Sequence, residues 1–327
     1  MLQATENETN EPHTSQAAYP NAHRLLRALG YQTSQRGVQL DVDGVQYILT
    51  PGIHQKDFWH GTHRNPRMFF SWFKNRRRRK LLAEPFPETW QSTLEHQVGH
   101  YAVLPESDQA RLRDIVRILV AEKEWEGCRG LELTDEIRVT IAAMAAVLVI
   151  GFDDFYFEQV QTILVYPNEY VVKEERALAG GATLEEESDR LGEAHYRGPV
   201  ILSWAEIRHN ALEPGHGQNL VFHEFAHQLD MLNGAIDGTP VLPDVDLAQR
   251  WARIMDREYR RLRQAERHGR ETLLDPYGAS EPAEFFAVAT ECFFDAPRAM
   301  HAEYPELYDL FRDYYKQDPA GWLAFER

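Results

Sequence analysis

The most informative segment of the sequence is His223-Glu224-Phe225-Ala226-His227, followed directly by Gln228-Leu229-Asp230. Since residues four apart on an α-helix share a face, His223 and His227 can direct imidazole nitrogens at one ion. Glu224 lies about 100° further round a helix of about 3.6 residues per turn, so its carboxylate can reach a water on that ion without binding the ion itself. This arrangement is typical of zinc-assisted peptide hydrolysis, in which a carboxylate takes a proton from the water.

The flanking sequence predicts that this helix is buried and has defined ends. Asn219 is suited to cap its start, and Asn233-Gly234 is suited to end it. The alternative is a core helix with two hydrogen-bonded histidines, but two His, a Glu and an Asp rarely share a buried helix unless they are paired or bind metal. The apolar residues of the helix are Val221, Phe222, Phe225, Ala226 and Leu229.

A catalytic zinc ion needs three protein ligands and one open position, so a third ligand must come from elsewhere. Metzincins place a third His six residues after the second, and Asn233 at that position excludes this class. A second helix is predicted to begin at Ser280 or Glu281 and to be mostly buried. It carries Glu284 and Glu291, seven apart and therefore on one face. Either could be the third ligand, with the other as a supporting acid, and two buried salt bridges are the alternative.

Two further residues could assist a metal centre without binding the ion. Asp230 follows His227 by three residues on the same side of the helix, so its carboxylate could fix a histidine tautomer. A capping or salt-bridge role is the alternative. Tyr277 lies in the turn Asp275-Pro276-Tyr277-Gly278, just before the second helix. Its phenol could stabilise an oxyanion over the metal, although a tyrosine in a turn more often serves packing.

Beyond these motifs, the chain resembles the Mlc titration factor A family of glucose-regulated zinc metallopeptidases over about residues 68–327. The landmarks, besides the two active-site segments, are spread along that length. They are Phe73–Leu82 with Pro85-Phe86-Pro87, Gly130–Glu136, Leu164–Pro167, Gly198–Trp204 and Tyr315–Pro319.

The resemblance implies a fold similar to the catalytic domain of anthrax lethal factor, in which a later helix supplies a Glu ligand and a Tyr precedes that Glu by seven residues. Carried over, these positions fall on Glu284 and Tyr277. It also implies cleavage of short peptides at the amino terminus, and a family member that sequesters a sugar-responsive transcriptional repressor. Every active-site position of the family has its matching residue in this chain.

Composition favours a cytoplasmic enzyme. The chain of 327 residues is long enough for a substantial core. A net charge of −16 and an isoelectric point near 5.3 argue against direct nucleic-acid binding. Two cysteines, Cys128 and Cys292, favour reduced thiols rather than a disulfide framework. The polar N-terminus shows no signal peptide, and the longest apolar run, Ile141–Phe152, is too short to cross a membrane.

The sequence predicts two regions, an N-terminal extension at 1–67 and a zincin-like domain at 68–327. The extension has a polar, disordered start at 1–18 and a possible small β-unit, where Val38–Val42 and Val45–Leu49 alternate around Asp43-Gly44. In the domain, Ala110–Val120 and Glu136–Ile150 are predicted helices, and Gln161–Tyr166 and Val200–Trp204 predicted strands. Charged Lys173–Arg197 is predicted to be a flexible loop.

We therefore expect a mainly helical α+β fold of the zincin type, with a small mixed sheet beside the helix of His223. The expected activity is peptide-bond hydrolysis with one Zn²⁺ per chain, held by His223, His227 and Glu284, with Glu224 and Tyr277 catalytic and Asp230 and Glu291 supporting. The substrate is a peptide or protein, whose extended backbone would pair with an edge strand near Pro199–Trp204. The alternatives are a protein that binds a transcriptional repressor, with peptidase activity secondary, and a zinc hydrolase of small molecules.

Overall fold

The computed structural model describes residues 38–42, 45–49, 67–168, 173–177, 183–187, 198–212, 215 and 217–322. For residues 67–73 and for the strands within 38–49 and 173–187, it describes only the backbone. The predicted disordered start at 1–18 lies outside these residues. Within them, every helix is too short or too polar to cross a membrane.

The chain divides into two compact units, Met1–Met68 and Phe69–Arg327. In the first unit, strands β1 (Val38–Val42) and β2 (Val45–Leu49) pair antiparallel, with Val38 opposite Leu49 and Val42 opposite Val45. The predicted hairpin is therefore confirmed in its backbone pairing. The assignment of residues 1–67 as an extension to a zincin-like domain remains a prediction.

The second unit is mainly helical in the part of the chain that the structure describes. The helices are α1 (Arg67–Ala83), α2 (Glu88–Gln97), α3 (Gly99–Val103), α4 (Glu106–Glu122), α5 (Asp135–Val149), α6 (Trp204–Leu212), α7 (Leu220–Asp230), α8 (Val245–Arg267), α9 (Pro282–Asp295), α10 (Pro297–Glu303) and α11 (Pro305–Tyr315). Helix α4 contains the predicted helix Ala110–Val120, and α5 confirms the predicted helix Glu136–Ile150 up to Val149. Helix α8 lies in a segment for which the sequence led to no prediction.

A three-stranded sheet, in the order β3 (Glu124–Gly127), β4 (Thr162–Tyr166) and β7 (Val200–Ser203), completes this unit. Glu124 lies opposite Thr162, and Ile163 opposite Val200. Both pairings are parallel, so the expectation of a mixed sheet is wrong for the described strands. The reason is connectivity: α5 lies between β3 and β4 in the chain, and such a crossover returns the next strand in the same direction.

The expected loop at Lys173–Arg197 contains regular structure. Strands β5 (Lys173–Ala177) and β6 (Thr183–Glu187) pair antiparallel, with Lys173 opposite Glu187. The loop prediction is wrong for these two strands, because a charged segment without an apolar core can still form a local ladder of backbone hydrogen bonds. The other residues of that segment lie outside the described part of the chain.

Helix α7 occupies the centre of the second unit, where it packs against α9, α5 and β7. Its neighbour α5 is buried along nearly its whole length, from Ile137 to Val149. Helix α9 is equally apolar, with Phe285, Phe286 and Phe293 almost fully buried. Helices α7 and α9 pack against each other within this core, so the polar side chains that they direct at each other have defined positions.

Candidate metal centre

The start of helix α7 is fixed by a side-chain cap. The Asn219 side-chain oxygen accepts a hydrogen bond from the Phe222 N–H at 3.2 Å, which confirms the predicted cap. At the other end, the chain continues into a short 3-10 helix, Met231–Asn233, and Gly234 then adopts a positive φ of 89°. That left-handed conformation favours glycine, as predicted for the end of this segment.

Helix α7 directs His223, Glu224 and His227 to one partly exposed face, while Phe222, Phe225 and Ala226 are buried on its other sides. Helix α9 begins with Pro282 at its first position and places Glu284 in its first turn. Because α7 and α9 pack side by side, Glu284 faces the two histidines of α7.

His223, His227 and Glu284 converge on one point. The His223 Nε2 lies 3.2 Å from the His227 Nε2 and 3.0 Å from the Glu284 Oε2, and the His227 Nε2 lies 3.4 Å from the Glu284 Oε1. Zn–N and Zn–O bonds of about 2.0–2.1 Å in a tetrahedron place neighbouring ligand atoms roughly 3.3 Å apart. The observed spacings therefore fit a zinc ion bound by these three residues.

Hydrogen bonding within this cluster is incomplete, which also fits a metal site. The Glu284 Oε2 is buried without a hydrogen-bond partner among the described residues, although the His223 Nε2 lies 3.0 Å away. Buried polar atoms are rarely left unsatisfied unless an ion or water completes them. Among all His, Cys, Asp and Glu side chains of the described residues, His223, His227 and Glu284 form the group whose ligand atoms lie close enough together to hold one ion.

Glu291 contacts the nitrogen of His223 that faces away from the cluster. Its Oε1 lies 2.8 Å from the His223 Nδ1, and its Oε2 accepts a hydrogen bond from the Asn219 backbone N–H. A proton on Nδ1, assigned from this contact, leaves the lone pair of Nε2 directed at Glu284 and His227. The structure thus places Glu291 behind a histidine and Glu284 in front of it.

The charges around His223 favour a cation at the cluster. Burial lowers the pKa of His223, but the short contacts with Glu284 and Glu291 and the nearby charge of Glu224 outweigh it and raise the pKa to about 10. Burial likewise raises the pKa of Glu284, whereas the short contacts with the two histidines bring it down to about 2. Three carboxylates around two imidazoles make this a strongly negative pocket.

The two predicted catalytic side chains border the cluster. Glu224 is half-buried on the same helix face as the histidines and is close enough to His223 to raise its pKa. Tyr277 lies in the 3-10 helix Pro276–Ala279 and is 45% exposed, with its ring centre 6.0 Å from that of His223. The Asp275 Oδ1 accepts the Tyr277 N–H at 2.8 Å, and the Asp275 Oδ2 accepts from the Gln218 side chain, just before α7.

Asp230 holds the chain that follows α7. It is fully buried, and its Oδ2 accepts the Gly238 N–H at 2.8 Å. The Asp230 Oδ1 and the His227 Nδ1 are both buried without a hydrogen-bond partner among the described residues. Burial raises the pKa of Asp230 to about 7. The observed contact of the Asp230 side chain is with the loop that follows α7. The control of a histidine tautomer by Asp230 remains a prediction.

Two polar residues near the site escaped the sequence analysis, namely Asp295 and His100. Asp295 is buried one turn beyond Glu291 on α9, and the His100 Nε2 lies 2.9 Å from its Oδ1. Asp295 is the last residue of the apolar helix α9, and this acidic residue in an apolar segment could have been recognised in the sequence as a candidate. His100 is distant in sequence, so no spacing connects it with the motif.

A half-buried imidazole pair, a carboxylate on a second helix and a further glutamate on the same face define a metallohydrolase-type site. Residues 72–316 match the model of the family of glucose-regulated metallo-peptidases M90. The chain therefore belongs to this family of metallopeptidases, which confirms the resemblance seen in the sequence.

Similar proteins match over two thirds or more of the chain. The chain is 36% identical over 244 residues to the uncharacterized protein slr2042 of Synechocystis, an alignment that covers 74% of this chain and 89% of the relative. It is 33% identical to the Mlc titration factor A of Edwardsiella ictaluri, over 68% of this chain and 85% of the relative. It is 30% identical to the Mlc titration factor A of Yersinia pestis, over 77% and 91%.

Proposed function

We propose that the chain is a zinc-dependent peptidase that hydrolyses short peptides in an aminopeptidase-like manner. The observation that carries this proposal is the convergence of His223, His227 and Glu284 within ligand distance of one point. Two neutral imidazoles and one carboxylate form a ligand set that suits zinc and leaves a fourth position open.

When bound, zinc supplies Lewis acidity, which lowers the pKa of a coordinated water and polarises a carbonyl. Glu224 accepts the proton of the attacking water at its carboxylate and then donates that proton to the leaving amine. Its place beside His223 on the same helix face supports this role, because the carboxylate can reach the reacting atoms while the two histidines hold the ion.

Tyr277 donates its phenolic hydrogen to the developing oxyanion. Its exposure of 45% and its ring contact with His223 support this, because the hydroxyl group can reach substrate from the open side of the site. Glu291 keeps His223 in the tautomer that presents Nε2. Asp230 supports the same centre from the far end of α7, where it holds the Gly238 backbone.

The substrate is an extended peptide. Strand β7 is one edge of the described three-stranded sheet, and β3 is the other edge. Helix α7 packs against β7, so β7 is the strand of that sheet nearest the site. We propose that a peptide backbone pairs with this edge, which positions a scissile bond by main-chain hydrogen bonds rather than by side-chain sequence. Cytoplasmic location remains a prediction from the sequence.

Elemental analysis of the purified full-length chain, together with a peptide-library cleavage profile, tests the proposal. We expect about one zinc per chain, consistent with a single site of three ligands, and cleavage that depends on it. A library with free and acetylated amino termini distinguishes amino-terminal from internal cleavage. Hydrolysis of ester or amide model compounds without any peptide cleavage would instead support a small-molecule hydrolase. A protein that contains no zinc after purification and does not bind added zinc would contradict the proposal.

A second candidate function is protein sequestration, which the name Mlc titration factor A of two relatives favours. In this case the chain would bind a transcriptional repressor, and peptide hydrolysis would be secondary. A pulldown that compares wild type with Glu224→Gln separates the two functions. Equal capture by both proteins would show that binding does not require hydrolysis, whereas capture lost with Glu224→Gln would show that the docking surface includes this carboxylate.

A further inference from the structure

A continuous line of buried polar contacts leads from His223 away from the metal-binding face. It begins with the hydrogen bond between the His223 Nδ1 and the Glu291 Oε1 at 2.8 Å. The second oxygen of Glu291 accepts the backbone N–H of Asn219, the residue that caps α7. Glu291 therefore touches both the histidine and the start of the helix that carries it.

Asn219 connects this pair to a second carboxylate. Its Oδ1 caps α7 through the Phe222 N–H, while its Nδ2 lies 3.5 Å from the Asp295 Oδ1. Asn219 is 1% exposed and Asp295 is 2% exposed. Asp295 follows Glu291 by four residues, so both carboxylates project from the same face of α9 and contact the same asparagine.

His100, on the separate helix α3, completes the line. Its Nε2 lies 2.9 Å from the Asp295 Oδ1, and the side chains of both residues are at most 1% exposed. The His100 ring also contacts the Phe222 ring edge to face, with 5.0 Å between centres. His100 thus reaches the start of α7 by two routes, one polar through Asp295 and Asn219 and one apolar through Phe222.

The energetic cost of burying Asp295 explains why a donor is needed at this position. A carboxylate removed from water is strongly destabilised unless hydrogen-bond donors replace the lost hydration. Glu291, one turn away, adds a second buried carboxylate to the same region. Without the contact from His100, Asp295 would depend more on the Asn219 Nδ2, which lies 3.5 Å from its Oδ1, and a movement of Asn219 toward Asp295 would disturb the cap at the start of α7.

We propose that His100 is a positioning residue of the metal centre, acting through Asp295 and Asn219 to hold His223 in its ligating orientation. This inference rests on the proposed function, since it assumes that His223 binds zinc. Residues behind a metal ligand alter metal affinity by about 10–100-fold when they are removed. For His100, which acts through two intervening residues, we expect a loss at the lower end of that range.

The experiment measures the zinc dissociation constant of the full-length chain by competition with a chromophoric chelator, and thermal unfolding of the metal-free protein. His100→Leu removes the donor and should weaken zinc binding about 10-fold. His100→Gln can donate an amide N–H from the position of Nε2 and should restore most of the affinity. If His100→Leu does not fold, His100→Asn, whose shorter amide cannot reach Asp295, replaces it with the same expected loss.

Thr290→Val is the matched control. Thr290 is fully buried on α9 beside Glu291, but its hydroxyl group contacts the Tyr315 hydroxyl group at 2.8 Å instead of the metal centre. It should lower the unfolding temperature and leave the zinc dissociation constant at the wild-type value. The proposal is overturned if His100→Leu binds zinc like wild type, if His100→Gln loses as much as His100→Leu, or if Thr290→Val weakens zinc binding equally.

Failure of the proposed function has a different signature. In that case the wild-type chain would bind no zinc, or His223→Ala would bind zinc as well as wild type. Wild-type binding that His223→Ala abolishes and His100→Leu leaves unchanged would refute only the positioning role.

Discussion

Glu284 and Glu291 contact the two opposite nitrogens of one imidazole. The Glu284 Oε2 lies 3.0 Å from the His223 Nε2, and the Glu291 Oε1 lies 2.8 Å from the His223 Nδ1. Seven residues separate the two glutamates on α9, so helical geometry alone brings both to the same histidine. The proposed function therefore divides the roles, with Glu284 as a zinc ligand and Glu291 as the residue that orients the ring.

The division predicts different effects on metal binding. Glu284→Ala should remove a ligand and abolish stoichiometric zinc binding, whereas Glu291→Ala should weaken it by about 10–100-fold, because the ring loses only its orientation. Zinc titration against a chelator distinguishes the two variants. Equal losses in both would show that the two glutamates are interchangeable and would contradict the assignment of Glu284 as the ligand.

Glu224→Gln should bind zinc normally and lose hydrolysis. The amide keeps the size of the side chain but cannot accept the proton of the attacking water, and such a loss reduces turnover by about 10²–10⁴-fold. Single-turnover cleavage of a peptide, with metal content measured on the same sample, checks this. His223→Ala is the comparison, since it should lose both zinc and activity. Full turnover by zinc-loaded Glu224→Gln would exclude the mechanism.

Tyr277→Phe should lower kcat by about 10²–10³-fold, the usual effect of removing one oxyanion donor. KM, zinc content and the unfolding temperature should stay at wild-type values, because the half-exposed ring remains in place. Steady-state kinetics on a peptide substrate provides the measurement. An unchanged kcat would assign Tyr277 to packing, the alternative that its position in a turn also allowed.

Gly238→Ala should destabilise the fold. Gly238 has a φ of 72°, and a Cβ there would collide with the Pro282 carbonyl at the start of α9. The conformation and the collision together should lower the free energy of unfolding by at least about 2 kcal/mol. Gly269→Ala is the control, because Gly269 has a φ of 59° with open space around it among the described residues, so it should cost about 1 kcal/mol. Denaturant unfolding of both variants compares them.

Cys292 predicts a pH dependence of stability. Burial, with the charges of Asp295 and Glu291, raises the thiol pKa from 9.0 to about 12 in the folded chain. Above pH 9 the unfolded chain releases this proton while the folded chain keeps it, so folding stability falls as the pH rises. Relative to Cys292→Ala, the wild type should lose about 2 kcal/mol between pH 8 and 10.5. Parallel slopes for the two proteins would contradict this.

Much of the metal centre could be predicted from sequence because its ligands follow helical spacing. His223, Glu224 and His227 lie within one helix. Spacing left both Glu284 and Glu291 open as the third ligand, and the family resemblance assigned that role to Glu284. The direction of the strands could not be predicted, since β3, β4 and β7 are short and their pairing depends on the crossovers between them. The role of His100 could not be predicted either, because only tertiary packing brings His100 to Asp295.

The close approach of Gly238 to Pro282 has a consequence for redesign of this chain. The Gly238 N–H donates to the Asp230 carboxylate at the end of α7, and a Cβ on Gly238 would collide with the Pro282 carbonyl at the start of α9. One glycine therefore lies against the ends of the two helices that carry His223, His227 and Glu284. Any side chain at this position would have to displace the start of α9, and with it Glu284, so a designed variant has to keep residue 238 without a Cβ.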